Sequence, residues 1–217
     1  MIKSLFNLPN KVTVALSGGV DSVAITDFLS KHRDVECAFF HHGTENSERA
    51  LEFVTKFCSN RNIKLLTKHI HTDKSKDQSK EEYWRVERYK FLESIPSIVI
   101  TAHNLDDCVE TYLFGAIHGT PKTIPSVRNN IVRPFLTTKK SEFISWCTRK
   151  EIAWCEDTSN MDTEYMRNYI RHNIVPHALH VNPGLHKVVK KIVENKQPQY
   201  QAEYGDLLGK LLLTESS

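Results

Sequence analysis

A chain of 217 residues has length for one sizeable core with an appendage, and too little for a multidomain assembly. With 40% hydrophobic and 25% charged residues it has the composition of an ordinary soluble protein, and no apolar run approaches the roughly 20 residues of a membrane helix. The net charge of +3 hides an asymmetry: residues 1–120 carry 15 Lys and Arg against 16 Asp and Glu, whereas residues 121–200 carry 13 against 7, so the second block reads either as a polyanion-binding half or as a solvated face.

In chain order, residues 12–16 read as a buried strand, 21–30 as a helix, 35–40 as a second strand and 47–60 as a second helix. Residues 63–70 are a third strand, 71–80 a polar exposed loop and 81–94 a helix. Residues 97–102 form a strand ending at His103, and 104–117 a helix. This alternation predicts an α/β fold, a doubly wound parallel sheet with helices on both faces. Beyond Gly119 the pattern loosens. Pro121 and Pro125 break any helix, Asn129-Asn130 marks a turn, and 131–136 reads as an edge strand that ends the sheet. Helices follow over 140–150 and 163–174, separated by a polar run at 156–160. Residues 183–217 form a helical appendage with apolar positions at Leu207, Leu208, Leu211, Leu212 and Leu213. The expected organisation is one unit over 1–138 and a helical extension over 139–217.

Residues 1–11 lack the apolar stretch of a signal peptide, and Cys37, Cys58, Cys108, Cys147 and Cys155 include no C-x-x-C pair. A cytoplasmic location is therefore expected, without a disulfide framework, zinc ribbon or iron–sulfur cage.

The densest signal is Ala15-Leu16-Ser17-Gly18-Gly19-Val20-Asp21-Ser22, set between a strand and a helix. Adjacent glycines let the backbone turn tightly and gather N–H groups, and the following helix adds the partial positive charge of its N-terminus. Ser17 and Ser22 supply hydroxyl donors. Asp21 would repel phosphates unless a metal ion lies between them. The plainer alternative is a glycine-rich turn with a serine cap. The segment is not a Walker loop; it resembles the S-G-G-x-D-S loop of the PP-loop ATP pyrophosphatases. That resemblance implies binding of ATP, adenylation of a substrate oxygen and release of pyrophosphate.

Three more segments lie at predicted strand ends or on helices: His41-His42-Gly43; Tyr83-Trp84-Arg85-Val86-Glu87-Arg88-Tyr89; and Ala102-His103-Asn104-Leu105-Asp106-Asp107-Cys108-Val109-Glu110-Thr111. Arg85 and Arg88 share one helical face, as do Asp107 and Glu110. Read alone, Asp106 and Asp107 either cap their helix or hold a cation. Arg85 and Arg88 either meet an anion or pair with Glu82 and Glu87. His103 either approaches a ligand or ends a buried strand. Together with Arg133-Pro134-Phe135-Leu136, 154–160 and 165–171, these segments resemble the tRNA(Ile)-lysidine synthetase family over residues 11–180.

The resemblance implies ATP-dependent attachment of L-lysine to carbon 2 of the wobble cytidine of tRNA(Ile) bearing a CAU anticodon, through an adenylated intermediate, with Mg2+. By that resemblance Asp21, Arg85, His103, Asp107 and Glu110 are catalytic. Ser17, Gly18, Gly19, Asp21, Ser22, His42, Gly43 and Arg88 bind the nucleotide, and Asp21, Asp106 and Asp107 hold the metal. Arg133, Arg167, Asn168 and Arg171 face the tRNA. Residues 118–125 stand where the family carries a glycine-rich loop, which implies a stiffer closure. The length implies a short form with the catalytic domain only, and dimerisation through the leucines near 211 is one way to supplement it. Two alternatives stand beside this one: another PP-loop ligase acting on tRNA or a small molecule, and a catalytically silent tRNA-binding derivative.

Overall fold

A computed structural model describes residues 2–70, 79–155 and 166–215. Strand β1 (Lys11–Ala15) is buried on both faces through Val12, Thr13 and Val14, as a central parallel strand requires. Helix α1 (Val20–Leu29) leads to β2 (Asp34–His41), α2 (Glu45–Ser59), β3 (Leu65–His69), α3 (Lys80–Glu93), β4 (Val99–Ile100) and α4 (Leu105–Ile117). The sheet is completed by β5 (Val127–Arg128) and β6 (Ile131–Val132), in the order β3-β2-β1-β4-β6-β5. Every pairing is parallel except β5 with β6. Val14 lies between Cys37 of β2 and Ile100 of β4, so β1 is the axis of the sheet.

The doubly wound parallel reading holds, with one correction at its far end. Residues 131–132 are not the edge: β6 pairs with β4, and the edge is β5, folded back by the turn at Asn129-Asn130. Asn129 takes a left-handed conformation with φ 52°, which asparagine tolerates. The polar segment 71–78 and the run 156–160 lie outside the described residues.

After β6 come α5 (Lys140–Arg149), α6 (Met166–Tyr169), α7 (Val175–Val181), α8 (Leu185–Asn195) and α9 (Gln197–Glu215). Between α6 and α7 the chain makes a π-helical turn, Ile170–Ile174, in which the Val175 N–H donates to the Ile170 carbonyl. Pro176, in the first turn of α7, has no N–H to donate and crowds the carbonyl four residues back, so the ladder is displaced just ahead of it.

Residues of both expected units enter a single core. Ile2, Leu5, Phe6 and Leu8 join Val12, Val14, Phe135, Phe143, Val189, Tyr200, Tyr204 and Leu207 in one buried cluster. Helix α9 closes over the N-terminal segment: the Tyr204 hydroxyl donates to the Asn7 carbonyl at 3.1 Å and Gln201 Nε2 to the Leu5 carbonyl at 2.7 Å. Leu207 is buried in this core, and Leu208 and Leu211 are partly buried against it. Among the described residues no helix is long and apolar enough to cross a membrane.

Gly115 explains how the proline-containing segment is seated. A Cβ at this position would lie 2.5 Å from the Thr120 carbonyl oxygen and 2.9 Å from the Lys122 nitrogen, both backbone atoms. The Thr120 N–H donates to the Gly115 carbonyl at 2.8 Å. Gly115→Ala gains helix propensity but must push that backbone away, and we expect a net loss of about 1–3 kcal/mol. Urea unfolding checks this: the midpoint falls with an unchanged slope, and a raised midpoint would contradict the packing.

Candidate active site

The loops leaving β1, β2 and β4 open on the same rim, the C-terminal edge of the parallel strands. After β1, Gly18 adopts φ +89°, a left-handed conformation closed to most side chains, and its carbonyl accepts from the Cys155 N–H at 2.9 Å. The buried Ser22 hydroxyl donates to the Gly19 carbonyl at 2.9 Å and lies 3.1 Å from the exposed Ser17 hydroxyl. Gly19 caps α1 without a side chain, so no cap hydroxyl competes for the N–H groups of the first turn. The loop therefore has the shape of an anion cradle. After β2, the Gly43 N–H donates to His41 Nδ1 at 3.1 Å, and the His42 ring lies 5.0 Å from Phe40 and 5.4 Å from Trp84.

Asp21 stands at the start of α1 with Oδ1 buried and without a hydrogen-bond partner among the described residues. Burial raises its pKa from 3.8 to about 7; Lys140, whose Nζ is 4.0 Å from Oδ2, pulls it back, and Asp107 adds to the rise.

Helix α4 starts with a capping box. Asn104 Oδ1 accepts from the N–H groups of Asp106 and Asp107, and Asp107 Oδ2 accepts from the Asn104 N–H at 3.0 Å. Asp106 is tied to two other helices: Oδ2 accepts from the Lys140 N–H at 2.7 Å, and Oδ1 lies 3.1 Å from His186 Nε2. Through these two contacts it ties α4 to α5 and α8. Glu110 is only 5% exposed and meets Arg171 through two contacts, at 2.6 and 3.0 Å, and Arg167 at 3.3 Å. Asp107 Oδ1 lies 3.4 Å from Arg167 and 3.5 Å from Arg171. Burial raises the Asp107 pKa, and Arg167 opposes the rise. Arg167 and Arg171, expected on an RNA-facing surface, thus bind the acidic pair, with half-buried Asn168 on the intervening turn.

His103 is half-buried three residues beyond β4, with Nδ1 3.0 Å from the Thr101 hydroxyl. Burial, reinforced by Arg133, Arg167, Arg88 and Arg85, holds its pKa well below the usual value, so the ring stays neutral. Arg85 is exposed and Arg88 half-buried on α3. Neither pairs with Glu82 or Glu87 among the described ion pairs; Lys90 takes Glu87 at 2.7 Å. Arg133 requires a correction. It is 3% exposed, donating from one terminal nitrogen to the Pro125 carbonyl at 2.8 Å and from the other to the Tyr89 hydroxyl at 3.0 Å. A surface phosphate contact is closed to it. Its neighbours in sequence, Ile131, Val132, Phe135 and Leu136, are the available signal for burial.

Lys140, Tyr89, Asn104 and His186 also contact the candidate site residues; Tyr89 and Asn104 lie in the motif segments 83–89 and 102–111, and none of the four has a role assigned from sequence. Only Asn104 has a legible signature, the Asn-x-x-Asp spacing of a cap. The other three act on residues far along the chain: Lys140 on Asp106, 34 positions away, Tyr89 on Arg133, 44 away, and His186 on Asp106, 80 away. Among the described residues no three His, Cys, Asp or Glu side chains converge as a metal cage.

The raised pKa of Asp21 makes ligand-free stability pH-dependent. The folded state holds the proton more tightly than the unfolded chain, so this carboxyl's contribution is best below pH 4 and is lost as pH rises through about 7. Asp21→Asn should accordingly stabilise the ligand-free protein at pH 8 by up to ~4 kcal/mol and have no stabilising effect at pH 4. Denaturant titrations at the two pH values check this, and equal effects at both would refute it.

A family model described as the PP-loop domain matches residues 2–178. The chain is 34% identical over 204 residues to a tRNA(Ile)-lysidine synthase of Thermosipho africanus, covering 86% of this chain and 48% of that protein. It is 32% identical to the enzyme of the same name from Pseudothermotoga lettingae, covering 84% and 45%. The chain thus spans about half the length of these relatives. Among solved structures, the U34-tRNA thiolase NcsA from Methanococcus maripaludis superposes with a TM-score of 0.70 at 16% identity, covering 89% of this chain and 74% of its own, a likeness of fold. With the loop, the strand order and the family match in agreement, the chain belongs to the PP-loop domain family.

Proposed function

We propose that this chain ligates lysine to carbon 2 of the wobble cytidine in an isoleucine tRNA with a CAU anticodon, using ATP. The relatives it matches are named for that product, and one observation carries the reading to this chain. The anion cradle at Ser17–Ser22 shares a rim with Asp21, whose buried oxygen lacks a partner, and with the carboxylates Asp107 and Glu110, already holding guanidinium groups.

In the first step the cytosine oxygen attacks the α-phosphorus of ATP and pyrophosphate leaves. The loop N–H groups and the exposed Ser17 hydroxyl would receive the leaving charge, with Ser22 bracing the loop, and Arg85 and Arg88 would supply positive charge to the α-phosphate. In the second step the lysine ε-amine attacks carbon 2, loses a proton and expels AMP. Asp107 and Glu110 are the acceptors suited to an alkyl ammonium, since they bind cations in the free protein. Neutral His103 adds no charge to a rim already crowded with arginines. Asp21 fits Mg2+: its buried, unsatisfied carboxylate oxygen is a hard donor that would hold the ion. When bound, the ion supplies neutralisation of the triphosphate charge.

Incubation with ATP, Mg2+, labelled lysine and unmodified CAU-anticodon tRNA should transfer label to the RNA. Asp21→Asn should lower that rate by about 100-fold or more. Pyrophosphate exchange without label in the RNA would assign the chain to another PP-loop ligation, and RNA binding without ATP consumption would make it a silent derivative.

A further inference from the structure

Arg133 is buried and fixed, and nothing in the reaction above uses it. Its backbone N–H donates to the Ser126 carbonyl, and its side chain reaches the Pro125 carbonyl and the Tyr89 hydroxyl, so it joins the end of β6, the segment seated on Gly115, and α3. Tyr89 is 4% exposed. Around its ring stand three more guanidinium groups: Arg128 at 4.2 Å, Arg85 at 5.1 Å and Arg88 at 5.7 Å from the ring centroid. Arg128 pairs with Glu93, but among the described residues Arg85, Arg88 and Arg133 form no ion pair with a carboxylate. Arg133 Nε is moreover buried without a hydrogen-bond partner. A cluster of this kind is unfavourable in the free protein and becomes favourable when an anion arrives.

We infer that Arg133 is a positioning residue: by gripping the Tyr89 hydroxyl it fixes the ring against which Arg85 and Arg88 are arrayed, and so sets the arginine pair where the α-phosphate charge develops. The inference rests on the ligase reading for the identity of that charge. Its physical content is separate. A preorganised cation pair stabilises a transition state without reorganisation, whereas a loose one must first be ordered. A planar guanidinium spans two acceptors with fixed geometry; a lysine ammonium at the same place keeps the charge but cannot hold both the Pro125 carbonyl and the Tyr89 hydroxyl in one plane.

The test is a double-mutant cycle on the full chain, comparing Arg133→Lys, Tyr89→Phe and the combined variant for lysine transfer and, separately, for AMP binding by calorimetry. Arg133→Lys should lower kcat about tenfold while KM for ATP, dominated by the phosphate loop, stays within about twofold. Tyr89→Phe should lower kcat about fivefold, and the combined variant should be no worse than Arg133→Lys alone. AMP affinity should show the same non-additive pattern. A wild-type kcat in Arg133→Lys would mean that charge alone suffices, and independent losses that multiply in the pair would mean that Arg133 does not act through Tyr89; either result overturns the inference. Should Arg133→Lys fail to fold, the near-isosteric Tyr89→Phe decides, and an unchanged kcat there counts against it. If the wild-type chain transfers no lysine, the ligase reading fails on its own and the AMP cycle still judges the positioning role. Absence of AMP binding to the wild type would overturn that as well.

Discussion

The position of β1 between β2 and β4 governs the rest of the molecule. The chain leaves β1 toward β2 and β3 on one side and returns to β4 on the other, so the loops after β1 and β4 diverge and leave a crevice at their C-terminal ends. Two helices begin in that crevice. α1 carries Asp21 in its first turn and α4 carries Asp106 and Asp107 in its own. Helix N-termini favour negative charge, which is why carboxylates are tolerated there; burial opposes it, which is why Asp21 and Asp107 both have raised pKa values. The site is the outcome of that opposition.

The charge asymmetry along the chain takes on a different meaning once the helices after β6 are in place. Four cationic or potentially cationic side chains from beyond residue 138 converge on the acids of the crevice: Lys140 on Asp21, Arg167 and Arg171 on Asp107 and Glu110, His186 on Asp106. Part of the basic excess of residues 121–200 is thus internal, directed at an acidic helix of the other half. This also explains why the extension shares the core of the sheet domain. Removing α6 together with the π-helical turn would strip both guanidinium partners from the buried Glu110 and Asp107, a loss that costs more than the pair itself contributes.

Residues whose roles depend on local chemistry are legible in the order of the amino acids alone. The glycines and serines of 17–22 need only the turn they make, and the strand–helix alternation through residue 117 needs only hydrophobic period. What escapes depends on long-range contact. β5 and β6 have two residues each, too short to carry a period, so the sequence pattern puts the edge of the sheet on the wrong strand. Arg133 reads as a surface residue because arginine is usually exposed, although its apolar neighbours mark a buried segment. The inward packing of Leu207, Leu208 and Leu211 depends on the N-terminal residues that helix α9 covers, nearly two hundred positions away, as for Tyr204 and Asn7 at a separation of 197.

The ligand-free rim is unsatisfied in two opposite senses. On the α1 side a buried carboxylate oxygen has no donor, and on the α3 side Arg85, Arg88 and Arg133 have no carboxylate among the described residues, Arg128 alone of the cluster being paired, with Glu93. Direct pairing between the two sides would relieve both, yet the fold attaches them to different strand ends and the phosphate loop lies on the carboxylate side. A neutral ligand would relieve neither, and a simple anion would meet the arginines while aggravating Asp21. On the proposed reading, a nucleotide carrying phosphates together with a divalent cation would satisfy both at once. The free rim therefore sets the sign of charge that relieves each side, negative toward the α3 arginines and positive toward Asp21.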